Sequence, residues 1–300
     1  MEYKFIILPR PRTGGTLLAT MLNSHHQISM GYELFPKLLE DDDGNAYGIS
    51  NLIAQLDKTQ VKDNEGWLKS LPKGNFRTFV ARARRSGIEP DNILVALKNG
   101  HNQYQDFTSF HNRILFIESL LREQAKKKGA KFFGSKLRSD PFKIFNYFPK
   151  AIYLMMLRDG RDILDSRMDV GNFETEPRAF AKEWSEDLEK FSSFLRISKA
   201  LGCLVRYEEL VNEPRKVLKS IMDMAELDLD ERMINFTEVD QPLFRNSHGH
   251  LSAKQLQLGL QPTSIGRWRR GLSKSVVEQF EQEAHVTLRD YGYLNELYTP

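Results

Sequence analysis

The stretch Pro9-Arg10-Pro11-Arg12-Thr13-Gly14-Gly15-Thr16-Leu17 constrains this chain most. An unbroken apolar run, Phe5-Ile6-Ile7-Leu8, precedes it, and Leu18-Ala19-Thr20-Met21-Leu22 carries on from it. The first reads as a buried strand and the second as the opening of a helix. A strand, a tight glycine turn and a helix together make an anion site. Backbone N–H groups of the turn point outward, and the helix dipole favours negative charge there. Gly14 and Gly15 let the backbone approach a bulky anion. Thr13 and Thr16 offer hydroxyl donors, and Arg12 a permanent positive charge. The bland alternative is an ordinary strand–turn–helix corner. The loop does not suit ATP, because NTPase phosphate loops need Gly, four residues, then Gly-Lys-Ser/Thr, and no Lys follows the glycine pair here.

The bulk properties fit one local basic pocket. Lys plus Arg number 43 against 40 Asp plus Glu, a net charge of +3 over 300 residues. That balance is too mild to imply nucleic acid as a partner. The single cysteine, Cys203, excludes an internal disulfide and reads as a buried strand residue. No basic segment followed by a long apolar stretch opens the chain, and no run approaches membrane-spanning length. The expectation is a soluble cytoplasmic protein without a membrane span.

Residues 27–36 read as a second strand ending near Glu33, ahead of Pro36. Ligands of open parallel sheets gather at carboxyl ends of strands, which makes Glu33 a candidate, with a solvated loop carboxylate as the alternative. His25 and His26 read as capping or solvent-facing residues, and with no further His or Cys at ligand spacing nearby no metal is expected. Residues 37–128 are less regular, helical in part over 52–71 and 76–85. Arg82, Arg84 and Arg85 read as a solvated face, with binding of an acidic substrate as the alternative. Residues 111–128 form an amphipathic helix ending at Gly129. A third strand over 131–136 ends on Lys136. The clearest buried strand, 151–157, runs into Arg158-Asp159-Gly160-Arg161-Asp162, where either aspartate can cap the next helix. A helix from Pro177 to about 199, a strand over 202–206 and a helix over 214–224 follow. Residues 228–262 are weakly periodic and expected to be irregular or mobile. Gly266-Arg267-Trp268-Arg269-Arg270 is a basic turn, and Ser273 caps a last helix over 274–290. The alternation argues an α/β fold, a mainly parallel central sheet flanked by helices. We expect a single domain over 1–300, with the block at about 37–130 as an insertion that sets specificity.

Three basic or hydroxyl clusters thus fall at helix–strand junctions: the glycine turn, 158–166 and 266–270. One phosphate needs one such cluster, so three suggest a ligand with more than one anionic group. Arg158 can offer a charge-assisted fork and Ser166, eight residues on, a hydroxyl. In this arrangement the chain resembles the PAPS-dependent sulfotransferases of carbohydrate and bacterial type, PAPS being 3′-phosphoadenosine 5′-phosphosulfate. Pro11-Arg12-Thr13-Gly14-Gly15-Thr16-Leu17 is similar to their 5′-phosphosulfate loop, often Pro-Arg/Lys-Ser-Gly-Thr-Thr. Arg158 to Ser166 matches the eight-residue spacing of their 3′-phosphate motif. Arg206-Tyr207-Glu208-Glu209-Leu210 resembles the segment whose Tyr lies at the adenine. Gly266-Arg267-Trp268-Arg269 resembles the basic turn that closes over the nucleotide. Gly15 departs from a usual Thr, losing one hydroxyl, and Gly160 stands where Pro is common, which should affect only the turn.

The resemblance implies a P-loop NTPase-like fold that moves a sulfuryl group from PAPS to an acceptor hydroxyl of a carbohydrate, lipid or small-molecule alcohol, releasing 3′,5′-ADP without a metal. It implies nucleotide contacts from Arg12, Thr13, Gly14, Gly15, Thr16, Leu17, Arg158, Ser166, Tyr207, Gly266, Arg267 and Trp268. Cytosolic members use a His as base, while several carbohydrate members use a Glu, and Glu33 matches the latter in a similar Glu-Leu-Phe setting, with His25 or His26 as the alternative base. Arg12 and Lys136 would then stabilise charge on the transferring group. Two other readings stand beside it. One is a nucleotide or sugar kinase on a related fold, and the other a non-catalytic nucleotide-binding protein. Whether Glu33 and Lys136 converge on the loop discriminates the last.

Overall fold

In the computed structural model the described residues are 1–57, 66–104, 106–169, 176–247, 250 and 253–294. Their elements run in the order β1 (Glu2–Leu8), α1 (Gly15–Ser24), β2 (Ile28–Tyr32), α2 (Ile49–Asp57), α3 (Gly66–Ser70), α4 (Asn75–Arg85), α5 (Pro90–Tyr104) and α6 (Phe110–Lys128). Then come β3 (Phe132–Lys136), α7 (Pro141–Phe145), β4 (Ile152–Leu157), α8 (Gly160–Asp169), α9 (Pro177–Ser198), β5 (Gly202–Arg206), α10 (Tyr207–Asn212) and α11 (Pro214–Ala225). The short helices α12 (Pro242–Arg245), α13 (Ala253–Leu256) and α14 (Trp268–Gly271) lead to α15 (Lys274–Asp290). The strands form one five-stranded parallel sheet in the order β2-β3-β1-β4-β5, flanked by helices. No helix among the described residues is long and apolar enough to cross a membrane.

Local chemistry explains most element ends. Ser109 Oγ accepts from the Asn112 N–H (3.0 Å) at the start of α6, and Gly129 closes that helix in the left-handed conformation. The Glu176 carboxylate caps α9, whose first residue is Pro177, and Ser273 caps α15. Asp159 Oδ1 accepts from the Arg161 N–H (2.9 Å), so of the two aspartates it is the one that caps α8. β4 is buried along its whole length, as its unbroken apolar sequence requires. Cys203 lies half-buried in β5, with burial raising its thiol to about 11.

Contacts divide the chain into two units, each with its own core. The first comprises Met1–Ile6, Thr16–Ser139 and Asp230–Gly259. Its strands β2 and β3 pair with Tyr32 beside Lys136. Phe79, Phe107 and Phe116 pack together, with ring centroids 6.3 and 5.0 Å from Phe116. This core lies inside the block 37–130, which the sequence showed as only partly regular. The block is largely helical, and α5 was not anticipated. Its Ile93-Leu94-Val95-Ala96-Leu97 is continuous rather than helically spaced, and Asn99 and Gly100 lower its propensity. The helix expected over 52–71 falls partly on 58–65, outside the described residues. Residues 228–262, expected to be irregular, hold short helices pinned by buried Gln241, which accepts from Asn23 Nδ2 (2.7 Å) and donates to Ser24 Oγ (2.6 Å).

The second unit comprises Ile7–Gly15, Asp140–Leu229 and Leu260–Pro300. Here β4 and β5 pair with Leu157 beside Arg206. Trp184 packs on Phe280 at 5.8 Å, and both lie against Gly160. A Cβ on Gly160 would collide with Phe280. Glycine here is thus a packing requirement of α8, not only a matter of the turn.

Candidate functional site

In the second unit the glycine turn, the end of β4 and helix α8 meet. Arg158, buried at the end of β4, donates through Nη1 to the Arg12 carbonyl (2.8 Å) and through Nη2 to the Ser264 carbonyl (2.6 Å). Arg12 Nε donates to Ser166 Oγ (2.7 Å). The Arg158 guanidinium lies 4.5 Å from the centroid of the Tyr207 ring. That ring also covers Gly14, whose φ of 89° favours glycine and whose Cβ would collide with Tyr207. Arg12 itself adopts φ 71°. Burial lowers its pKa, and the charges of Arg158 and Arg267 lower it further, so the cradle gathers positive charge.

Arg158 Nε and, in the C-terminal basic turn, Trp268 Nε1 are among the buried donors of this unit without a hydrogen-bond partner. A buried unpaired donor costs about 1–3 kcal/mol. A phosphate is the kind of acceptor that a guanidinium N–H suits. Thr13 behaves differently from expectation. Its hydroxyl donates to the Arg10 carbonyl (2.8 Å), so it braces the turn. Leu17 is buried in the first turn of α1, where its side chain packs inward.

The C-terminal basic turn is tied to α8. Asp162 accepts from the N–H groups of Gly266 (2.9 Å) and Trp268 (3.1 Å), while Arg267 pairs with Asp165 and, at 3.1 Å, with Asp169. Burial and the neighbouring Asp159 raise Asp162 to about 6, against the pull of Arg158 and the two N–H groups. Below it, Glu208 accepts from the Asp159 N–H (3.0 Å) and from the Tyr293 hydroxyl (3.2 Å). Burial raises Glu208 to about 7 from 4.5. The folded state therefore holds a proton that the unfolded chain releases. Stability from this group is present below about pH 4.5 and is lost as pH rises towards 7. Glu208→Gln is a neutral replacement whose oxygen can accept from the Asp159 N–H while its amide N–H donates to the Tyr293 oxygen. It should raise unfolding stability at pH 8 by about 2–3 kcal/mol and leave pH 4 nearly unchanged. Urea unfolding at the two pH values checks this, and an equal effect at both would contradict it.

In the first unit, parallel pairing brings Glu33 and Lys136 together. Tyr32 and Lys136 are register partners, so Glu33, one residue on, leaves β2 beside the end of β3. Its N–H donates to the Lys136 carbonyl (2.9 Å), and its backbone turns to φ 60°. Lys136 Nζ, buried, donates to Glu33 Oε1 (2.6 Å) and to Thr16 Oγ1 (2.7 Å). Lys136 thus bridges the candidate base and the last hydroxyl of the loop. Burial pushes Glu33 up, but Lys136, Arg82 and His250 outweigh it and lower the carboxyl to about 2. Burial lowers Lys136 in turn, with Glu33 opposing.

Two further residues join this cluster: Arg82, read from sequence as part of a solvated face with acidic-substrate binding as the alternative, and His250, which the sequence did not single out. Arg82 Nη1 donates to the Glu33 carbonyl (3.1 Å), and its Nε stands 3.8 Å from Glu33 Oε2, so it is not merely a solvated face. His250 comes from the weakly periodic region. Burial and the charges of Arg85 and Lys136 lower it to about 4, so it is neutral at pH 7. Only the grouping of arginines at 82–85 could have signalled this. His25 and His26 behave as expected of a cap and a surface residue. Buried His25 accepts from the Gln27 N–H through Nδ1 (3.0 Å), and exposed His26 pairs with Asp230 (2.8 Å). Their ligand atoms and that of Asp230 lie within 4.8 Å, a grouping hidden by 204 residues of separation. Arg232 already forks onto that Asp230 carboxylate (Nη2 at 2.7 Å).

Comparison with known proteins bears on the family and the fold. The model of the sulfotransferase family matches residues 5–231. Protein-tyrosine sulfotransferase A of Caenorhabditis elegans is 22% identical over 297 residues, 94% of this chain. The chain spans 65% of the length of that curated relative. The sulfotransferase domain of the Synechococcus PCC 7002 olefin synthase superposes with a TM-score of 0.59 at 19% identity, covering 95% of this chain and 96% of that one. The sulfotransferase domain from the curacin biosynthetic pathway gives 0.58 at 17% identity, covering 95% and 98%. These two likenesses concern the fold. With the family model spanning most of the chain, from β1 to the start of the segment after α11, the chain belongs to the sulfotransferase family.

Proposed function

We propose that this chain transfers a sulfuryl group from PAPS to an acceptor hydroxyl and releases 3′,5′-ADP. The observation that carries it is Lys136 Nζ held between Glu33 and Thr16, which sets a base and a cation at the end of the glycine loop. A protein that only stored a nucleotide would need neither. Bound PAPS supplies a sulfur that the acceptor oxygen attacks, as the bond to the bridging oxygen breaks and its electron pair stays on the phosphate.

Each residue has a part in this reading. Arg158, through its free Nε, with Arg12 and Ser166, holds the nucleotide phosphate, and Tyr207 lies at the base. N–H groups of Gly14, Gly15, Thr16 and Leu17 face the sulfonate end. Gly266, Arg267 and Trp268 close the nucleotide side, Trp268 offering its indole N–H. Thr13 braces the loop. Glu33 accepts the acceptor's proton, and Lys136 and Arg12 balance negative charge on the transferring group. An incoming anion that shares Lys136 relaxes its hold on Glu33, while the burial that raises the carboxyl remains. The block 37–130 faces the acceptor and sets its identity, within one domain spanning the chain.

Incubation with ³⁵S-labelled PAPS and a panel of carbohydrate, lipid and small-molecule alcohols tests this reading. Label should pass to a hydroxyl with one equivalent of 3′,5′-ADP formed. Tight PAPS binding without transfer to any acceptor class would favour the storage reading instead.

A further inference from the structure

Helix α4 borders a cleft of about 420 Å³ in the first unit. Lys73, Arg77, Arg82 and Arg85 line it together with Leu68 and Thr78, and no carboxylate does so among the described lining residues. The helix buries Phe76, Phe79, Val80 and Ala83 on its other side. Arg77, Thr78, Ala81, Arg82 and Arg85 fall at helical spacing on one face, so the cations are segregated into the cleft.

Helix physics alone does not explain this. Arg77 stands in the first turn, where the dipole disfavours a cation and where no acidic residue offsets it. Arg82 and Arg85, three residues apart, repel each other. Burial lowers the pKa of both, opposed chiefly by Glu33. The concentration of positive charge is therefore held at a cost to the fold. Its inner end is fixed, because Arg82 contacts both the carbonyl and the carboxylate of Glu33. Arg77 lies five residues earlier, about 7.5 Å along the helix axis.

We propose that this cleft receives an anionic group of the acceptor, a carboxylate, phosphate or sulfate carried roughly 7–8 Å from the hydroxyl that faces Glu33. Lys73, Arg77 and Arg85 bind that group, and Arg82 links it to Glu33. The inference rests on the reading of Glu33 as base and narrows the acceptor class to acidic hydroxyl compounds. Thr78 can add a hydroxyl contact, while Leu68 and Ala81 cover the apolar stem between the two groups.

The test uses four para-substituted probes with one free hydroxyl each: 4-hydroxyphenylacetate, 4-hydroxyphenyl phosphate, 4-hydroxyphenyl sulfate and neutral 4-ethylphenol. Binding to the full chain, with and without saturating 3′,5′-ADP, is measured by calorimetry. Acidic probes should bind about ten- to a hundredfold more tightly than the neutral one. Arg77→Glu, at a half-exposed position, should erase that preference at unchanged thermal midpoint, with Arg77→Gln intermediate. The ranking of the three acids identifies which anion the cleft prefers. Equal binding of the neutral probe, or a preference that survives Arg77→Glu, overturns the proposal. Sulfation by labelled PAPS separates the two readings. Anion preference without label transfer from PAPS to any acceptor would leave the cleft standing and remove the transferase reading. Sulfation of the neutral probe as efficiently as the acids would do the reverse.

Discussion

Glu33→Gln should lower turnover by about 10²–10⁴ while leaving 3′,5′-ADP affinity unchanged. The side chain sits at the end of β2, with one oxygen on Lys136 and the other facing Arg82. The amide keeps the shape but cannot take a proton, so the loss falls on the chemical step. The pH profile distinguishes this base from a histidine. Lys136 and its neighbours overcome burial to hold the carboxyl at about 2, so Glu33 is ionised throughout the neutral range. The acid limb of kcat/KM, which reports the free enzyme, should therefore lie below about pH 5. A limb near pH 6.5, removed by His25→Ala or His26→Ala, would place the base there instead. Full turnover in Glu33→Gln would contradict the assignment outright.

Arg158→Ala is expected to weaken 3′,5′-ADP binding by roughly ten- to 150-fold, the worth of a charge-assisted contact at about 1.5–3 kcal/mol. The side chain also holds the Arg12 and Ser264 carbonyls, so the comparison ligand matters. Affinity for 5′-AMP, which lacks the second phosphate, should fall much less. Equal losses for both nucleotides would mean that Arg158 only supports the loop. Calorimetry with the two ligands decides between these outcomes.

The sequence was most informative where short-range chemistry rules. The unbroken apolar runs marked the strands, Gly129 and Ser273 marked helix ends, and the glycine turn marked a candidate site. The candidate residues Glu33, Lys136 and Arg158 were legible because each stands at the end of a strand. What was hidden depends on tertiary contact. The register that sets Tyr32 beside Lys136 creates the Glu33 pair, and no local pattern announces it. Arg82 looked like an ordinary surface arginine because its partner lies 49 residues away. Gln241 sits in a region without periodicity, and its buried amide contacts help to order that segment. Arg267 read as part of a basic turn, and its pairing with Asp165 and Asp169, about a hundred residues earlier, has no local signal.

The backbone at Arg12 and Glu33 carries a consequence for how this protein can change. Among the described non-glycine residues, φ is positive at these two and at Lys199 and Glu226, which cap helix ends. Left-handed backbone costs a side-chain-bearing residue roughly 1–2 kcal/mol. Glycine would relieve that cost at both positions and delete both side chains. At Glu33 that gain is outweighed, because deleting the carboxylate leaves the buried Lys136 ammonium without its counter-charge, at about 3–5 kcal/mol. Selection for thermal robustness alone is thus drawn towards Arg12→Gly, which eases the backbone and the repulsion from Arg158 and Arg267 and discards the guanidinium. Laboratory evolution of this chain for heat tolerance has to screen for turnover at every round, since an easy gain lies at Arg12, which the proposed chemistry uses.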